Sequence, residues 1–184
     1  MTLNRLKKIW DNGEYALNGW LSINNSFIAE IMSRQNYDTL TIDMQHGLID
    51  YSDLIGMLQG ITGSNVTPIV RVPWLDPGYI MKALDAGAQG IISPMINNKK
   101  EAEEFVSYMR YPPLGNRSFG PTRQNIVQGS DYYKTANENV LCIAMIETAE
   151  AMKNLEEIIS TDGLDAVYIG PADLTLGTTE GRLP

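Results

Sequence analysis

Apolar residues along this chain fall into short continuous runs separated by stretches of helical spacing. The runs read as strands at 18–23 (NGWLSI), 38–43 (DTLTID), 67–72 (TPIVRV), 90–95 (GIISPM), 140–147 (VLCIAMIE) and 165–170 (DAVYIG). Unbroken apolar runs rather than alternating ones are the mark of strands covered on both faces, which is the situation of a parallel sheet. Between them lie amphipathic helices. The first follows a cap at Asn25 or Ser26 and carries Phe27, Ile28, Ile31 and Met32 on one face. The second starts near Ser52 with Leu54, Ile55, Leu58 and Ile61. The third has Asp76 as cap, Pro77 at the first helical position and Gly87 past the end. A charged helix covers about 98–110, and a last one packs Met152, Leu155, Ile158 and Ile159. The segment RYPPLGNRSFGPTRQ at 110–124 reads as a long loop, and loops of that length in a compact domain usually serve function.

Strand–helix alternation leaves two architectures. A doubly wound sheet gathers ligands at one crevice. A (β/α)8 barrel gathers the C-terminal ends of all its strands on one face. Polar or charged residues stand at or just past most of these ends: Asp43 and His46, Arg71, Ser93, Glu147 and Asp173. That spread favours the α/β barrel of the TIM type, with 1–184 as a single domain. Only about six of the eight units are present, and the segment 174–184 (LTLGTTEGRLP) is polar and Gly-rich. The expectation is therefore a barrel truncated at its C-terminus, with open first and sixth strands that favour association.

Composition narrows the partners. The 184 residues carry a net charge of −8 with a pI near 4.6, and no Lys/Arg run exceeds two residues. Nucleic acid is excluded as a partner, because phosphate neutralisation needs a basic face. The single cysteine, Cys142, rules out an internal disulfide and suits a reducing cytoplasm. No segment has the roughly eighteen apolar residues of a membrane helix. The expected location is cytoplasmic.

Candidate chemistry sits at the strand ends. Glu147 and Asp173 each follow a strand nearly free of other charge. Two carboxylates beside one another suit a hard divalent cation, with water and substrate oxygens completing the shell. They also suit helix capping or pairing with arginine. Gly170 to Asp173 open GPADL, whose Ala172 and Asp173 amides would form a helix N-terminus suited to a carboxylate or phosphate, or would simply start a helix. Arg71 ends an apolar strand, where a guanidinium either pairs with a protein acid or holds a substrate anion. His46 is the one histidine of the chain, and imidazole suits proton abstraction near neutrality, although a lone histidine is often structural. Trp74 lines a pocket or belongs to the core. Asp50, Asp53 and the run from Lys99 to Glu104 read as solvated helix faces.

In order along residues 38–174, the stretches IDMQHG, PIVRVPW, LDAGAQGIISPM, RYPPLGNRSFGPTR, IETAEAMKNLEEI and DGLDAVYIGPADL resemble the HpcH/HpaI aldolase–citrate lyase family. The resemblance implies a metal-dependent pyruvate aldolase acting on 4-hydroxy-2-oxo acids. It implies a divalent cation (magnesium, manganese or cobalt) held by Glu147 and Asp173, with the pyruvate carboxylate on the GPADL amides of Gly170, Ala172 and Asp173. Arg71 would stabilise the enolate oxygen, and His46 would manage the C4 hydroxyl proton through a bound water. An aspartate matching Asp85 supports the histidine in these relatives. Since Asp85 lies at the far end of its helix, that histidine would belong to a neighbouring subunit, in keeping with the hexamers typical of the family. Gln45 stands where many relatives have Glu, and Met145 where Gln is frequent. Two other readings stay open: a citrate-lyase-like enzyme on acyl-CoA thioesters, which needs a cationic patch for the CoA phosphates, and a barrel that binds metal or 2-oxo acid without turnover.

Overall fold

A computed structural model describes residues 4–179; residues 180–184, part of the polar Gly-rich tail, lie outside the described residues. A short helix α1 (Arg5–Asp11) precedes β1 (Asn18–Leu21), α2 (Ser26–Ser33), β2 (Thr39–Asp43) and α3 (Tyr51–Ile61). Then come β3 (Thr67–Arg71), α4 (Pro77–Ala86), β4 (Gly90–Ser93) and α5 (Lys99–Met109). Two further helices, α6 (Thr122–Gln128) and α7 (Tyr133–Asn139), lead to β5 (Leu141–Ile146). The described chain ends with α8 (Ala149–Lys153), α9 (Leu155–Ile159), β6 (Ala166–Ile169) and α10 (Pro171–Thr178).

All six strands pair in parallel in the order of the sequence, β1 to β6. Residue parity sorts their side chains. Leu40, Ile42, Val70, Ile91, Cys142, Ala144 and Ile146 point to the helix layer and fuse with it into the main core. Ile69, Ile92, Leu141, Ile143 and Met145 point to the other face, where Trp20 and Tyr168 join them. The Trp20 and Tyr168 rings, from the first and last strands, stand 5.6 Å apart. The sheet must therefore curl strongly, and the architecture is an α/β half-barrel. Leu6 and Trp10 of α1 close the floor of its concave side against those same residues.

Each strand expectation is met within one or two residues, and α4 carries its Asp76 cap, its Pro77 and a C-terminal Gly87 at φ 127°. Other expectations need correction. The loop at 110–124 gives way to α6 from Thr122 onward, and α1, α6 and α7 have no counterpart in the apolar pattern. Helix α3 begins at Tyr51 because Asp50 and Asp53 form a capping box, so these acids are structural caps rather than a merely solvated face. The helix after β5 is broken at Asn154, whose side-chain amide donates to the Asn97 carbonyl at 2.9 Å. Met152 and Ile159 are exposed there, while Ile158 is buried.

The largest departure is α2. Phe27, Ile28 and Ile31 are 66%, 39% and 45% exposed, while Ala29 and Ser33 are buried. The cause is close packing: a Cβ on Gly60 of α3 would stand 2.6 Å from the Ser26 carbonyl oxygen. Only the small-residue face of α2 fits against α3, which turns the bulky residues outward. Strand β1 pairs on one side alone, so no described element covers them. Val167 and Ile169 of β6, the other edge, are likewise part-exposed.

Candidate functional site

Parity that puts Thr39 and Thr41 on the concave face also puts Asp43 there, one step beyond, and its register partner across β2–β3 is Arg71. Both charges are taken nearly out of water, with side chains 3% and 12% exposed. Such a pair persists only with good geometry and further hydrogen bonds. It has both. Arg71 Nε donates to Asp43 Oδ1 at 2.8 Å and Nη2 to Oδ2 at 2.6 Å. Oδ1 also accepts from the backbone amides of Gln45 (3.0 Å) and His46 (3.3 Å), and Oδ2 accepts from Trp20 Nε1 at 3.2 Å. Burial alone would raise the Asp43 pKa; Arg71, the His46 amide and Trp20 outweigh it and hold the carboxyl below its ordinary range.

The turn carrying His46 is built on this hub. A Cβ on Gly47 would fall 2.2 Å from the Asp43 carbonyl oxygen, so the glycine in IDMQHG is required for the chain to fold back. His46 itself is exposed at the strand-end face.

Glu147 follows β5 on the same concave parity and is 2% exposed. Its Oε1 accepts from the Met95 amide at 2.7 Å. A Cβ on Gly170 would stand 2.7 Å from Glu147 Oε2, so the carboxylate occupies the space a side chain would fill after β6. Burial raises the Glu147 pKa; Asp173 raises it further, against the opposing pull of the Met95 amide, Arg71 and His46. That balance gathers Glu147, Asp173, Arg71 and His46 into one electrostatic neighbourhood. Asp173 lies in the first turn of α10, which starts at Pro171 after Gly170 with no side-chain cap, so side chains leave its first amides unclaimed.

Among the described residues no group of three or more His, Cys, Asp or Glu converges on one point. With Asp43 taken up by Arg71, the carboxylates left at the strand ends are Glu147 and Asp173, the first of them buried and pushed toward its neutral form. A hard cation with most of its shell filled by water and substrate oxygens fits that donor set.

Asp85 is not brought to this cluster within one chain. It sits in the last turn of α4 on the helical side, bonded through Oδ1 to Arg117 Nη2 at 2.7 Å. A cavity of about 740 Å³ opens there, lined by Tyr51, Lys82, Asp85, Arg123, Ile126 and Val127 among others. Trp74 is exposed rather than core. Asp43, Trp20 and Gln45 are neighbours of the site to which the strand-end pattern assigns no role. For Asp43 the sequence does carry a signal: an acid closing an apolar run. Trp20, inside an apolar run, gives no such sign.

Comparison with known proteins decides the lineage. A profile of the HpcH/HpaI aldolase/citrate lyase family matches residues 17–182. The chain belongs to this family. Over 174 residues it is 47% identical to the hydroxypyruvate/pyruvate aldolase of Rhizorhabdus wittichii, covering 95% of this chain and 69% of that protein. Over 177 residues it is 37% identical to the 4-hydroxy-2-oxo-heptane-1,7-dioate aldolase of Escherichia coli, covering 94% of this chain and 67% of the relative. A family structure from Burkholderia cenocepacia superposes with a TM-score of 0.88 at 33% identity, over 98% of this chain and 74% of that one. Membership places the chain among carbon–carbon lyases, as the sequence motifs imply. Among the described residues, no helix is long and apolar enough to cross a membrane.

Proposed function

We propose that this chain carries out the retro-aldol cleavage of a 4-hydroxy-2-oxo acid to pyruvate and an aldehyde, assisted by a divalent cation on Glu147 and Asp173. The observation that carries the reading is the buried Glu147 carboxylate, pushed toward its neutral form by burial and by Asp173. A protein that needed no cation there would be better served by an apolar or amide side chain. The bound cation supplies charge compensation and Lewis-acid polarisation of the 2-oxo group.

The remaining work falls to the chain itself. The open amides of Ala172 and Asp173, with Gly170 allowing close approach, receive the substrate carboxylate. Arg71 has Nη1 without a hydrogen-bond partner among the described residues, and this nitrogen meets the oxygen that becomes negative. His46 takes the proton of the C4 hydroxyl. The C3–C4 bond then breaks, its electron pair moves to C3 as the enolate, and protonation at C3 releases pyruvate while C4 leaves as the aldehyde. The likeness to the Rhizorhabdus and Escherichia aldolases supports a 2-oxo acid substrate. Asp85, on the helical side, serves the His46 of a second copy in a homo-oligomer. A citrate-lyase-like reaction is less well supported, since Arg5, Arg71, Arg110 and Arg117 are each committed to an aspartate rather than to a CoA-phosphate patch.

Pyruvate release from 4-hydroxy-2-oxo acids, measured with magnesium, manganese or cobalt and with chelator, tests the reading. Turnover should require the cation and fall by more than about 100-fold in Glu147→Ala, beyond the loss typical of residues that merely support a metal ligand. Cation-independent turnover would overturn it. Light scattering tests the role given to Asp85: an oligomer is expected, and a stable monomer would remove it.

A further inference from the structure

We propose that Trp20 and Asp43 are positioning residues that clamp the Arg71 guanidinium, leaving Nη1 as the nitrogen offered to substrate; the inference rests on the aldolase reading above. Three strands contribute. Asp43, on β2, takes the Nε and Nη2 edge of the guanidinium in a two-point fork. Trp20, on β1, does two things at once: its indole N–H donates to Asp43 Oδ2 at 3.2 Å, and its ring lies 4.9 Å from Arg71 Cζ. Tyr168, on β6, braces the indole with a ring contact at 5.6 Å. The guanidinium is thus held by one edge and one face.

The arrangement limits how Arg71 can act. A guanidinium has five N–H donors in a fixed plane, and the fork to Asp43 uses the Nε edge. The opposite edge, at Nη1, is the part left to meet an anion. Without the carboxylate and the indole face, the long side chain would sample several rotamers, and catalysis depends on a donor held in place before charge develops. Asp43 gives the indole N–H the acceptor it needs, and that bond sets the ring against the face of the guanidinium that Asp43 holds. Its ring also excludes water from the face of the cation, which strengthens the ion pair.

Exchange of the pyruvate C3 protons in deuterated water, followed by proton NMR with magnesium present, reports enolate formation without the aldehyde partner. In the full chain, Trp20→Phe keeps a ring face and loses the N–H, and its exchange kcat should fall about 5-fold. Trp20→Leu loses both and should fall about 30-fold, a cation–π contact in a dry site being worth about one decade or more. Asp43→Asn should fall furthest, about 100-fold, and in all three the KM for pyruvate should change less than kcat. In an Arg71→Lys background, which destroys the planar fork, Trp20→Phe should cost nothing more. Thermal melts check that the Trp20→Phe variant remains folded. Wild-type exchange rates in both Trp20 variants, or a Trp20→Phe loss undiminished in the Arg71→Lys background, would overturn the clamp while leaving the site reading intact. Wild-type exchange by Arg71→Lys itself would overturn the site reading, and the clamp with it.

Discussion

Of three buried arginine–aspartate pairs among the described residues, two, Arg71–Asp43 and Arg117–Asp85, lie on opposite sides of the sheet and are built differently. Arg71 and Asp43 meet at two points, and the carboxylate has three more donors. Arg117 and Asp85 meet at one point. The Arg117 side chain is 0% exposed, its guanidinium carbon lies 4.3 Å from the Tyr111 ring centre, and Nη1 donates to the Tyr132 hydroxyl at 3.1 Å. Its Nε has no hydrogen-bond partner, nor does the Tyr111 hydroxyl. The Asp85 pKa is raised by burial despite Arg117, whereas that of Asp43 is lowered. Identical side-chain chemistry thus gives a hub at the strand ends whose carboxylate is fully satisfied, with Arg71 Nη1 left open, and an under-satisfied rivet on the helical side. The hub fixes the His46 turn and aims a guanidinium. The rivet pins the segment after α5 to α4, and Asp85 lines the cavity there.

The largest expected effects separate the two pairs by function. Arg71→Lys keeps a charge beside Asp43 but loses the planar fork; pyruvate release should drop about 100-fold while the melting temperature changes little. Arg117→Met should do the reverse in kind. It strands a buried carboxylate and should cost about 3–5 kcal/mol in denaturant unfolding. A small stability loss in Arg117→Met would show that the cavity already hydrates Asp85 and that the two pairs differ less than their geometry suggests.

A smaller effect appears on acidification. A carboxyl whose folded pKa lies below its unfolded value of about 3.9 adds stability that is complete above that pH and lost as pH falls through the folded value. Asp43 is such a group. Asp85, raised in the fold, behaves oppositely: its contribution declines as pH rises from about 3.9 toward its folded value. Unfolding free energy measured across acid pH should therefore fall less steeply in Asp43→Asn and more steeply in Asp85→Asn than in the wild type. Parallel curves for the two variants would erase the distinction. The smallest effect belongs to the cap of α3, remote from both pairs, where Asp50→Ala should cost about 1 kcal/mol with pyruvate release unchanged.

The same contrast marks which features are legible in the sequence and which are not. Strand positions follow from runs of apolar residues, and Arg71, Glu147 and Asp173 are conspicuous because charge at the end of such a run needs a reason. Asp43 is no less conspicuous, but its partner emerges only from the β2–β3 register. Trp20 is invisible to such reasoning, since an aromatic in an apolar run is ordinary core and only the curl of the sheet sets it beneath Arg71. The outward apolar face of α2 escapes for a related reason. Periodicity finds an apolar stripe, but the glycine of α3 that selects a small-residue contact instead is a property of the neighbour. Helix α6 is hidden in a Pro/Gly-rich stretch, where Arg123 secures its start by donating to the Ala86 carbonyl at 2.5 Å and Thr62 Oγ1 at 2.6 Å.

In the proposed site Glu147 and Asp173 hold a cation at the strand ends, beside the hub and away from the rivet. Manganese titrated into the full chain by calorimetry, with wild type, Glu147→Gln and Asp85→Asn side by side, tests it most directly. One ion per chain is expected in the wild type, with binding weakened at least about 10-fold in Glu147→Gln and unchanged in Asp85→Asn. Equal affinity in the wild type and Glu147→Gln would contradict the account.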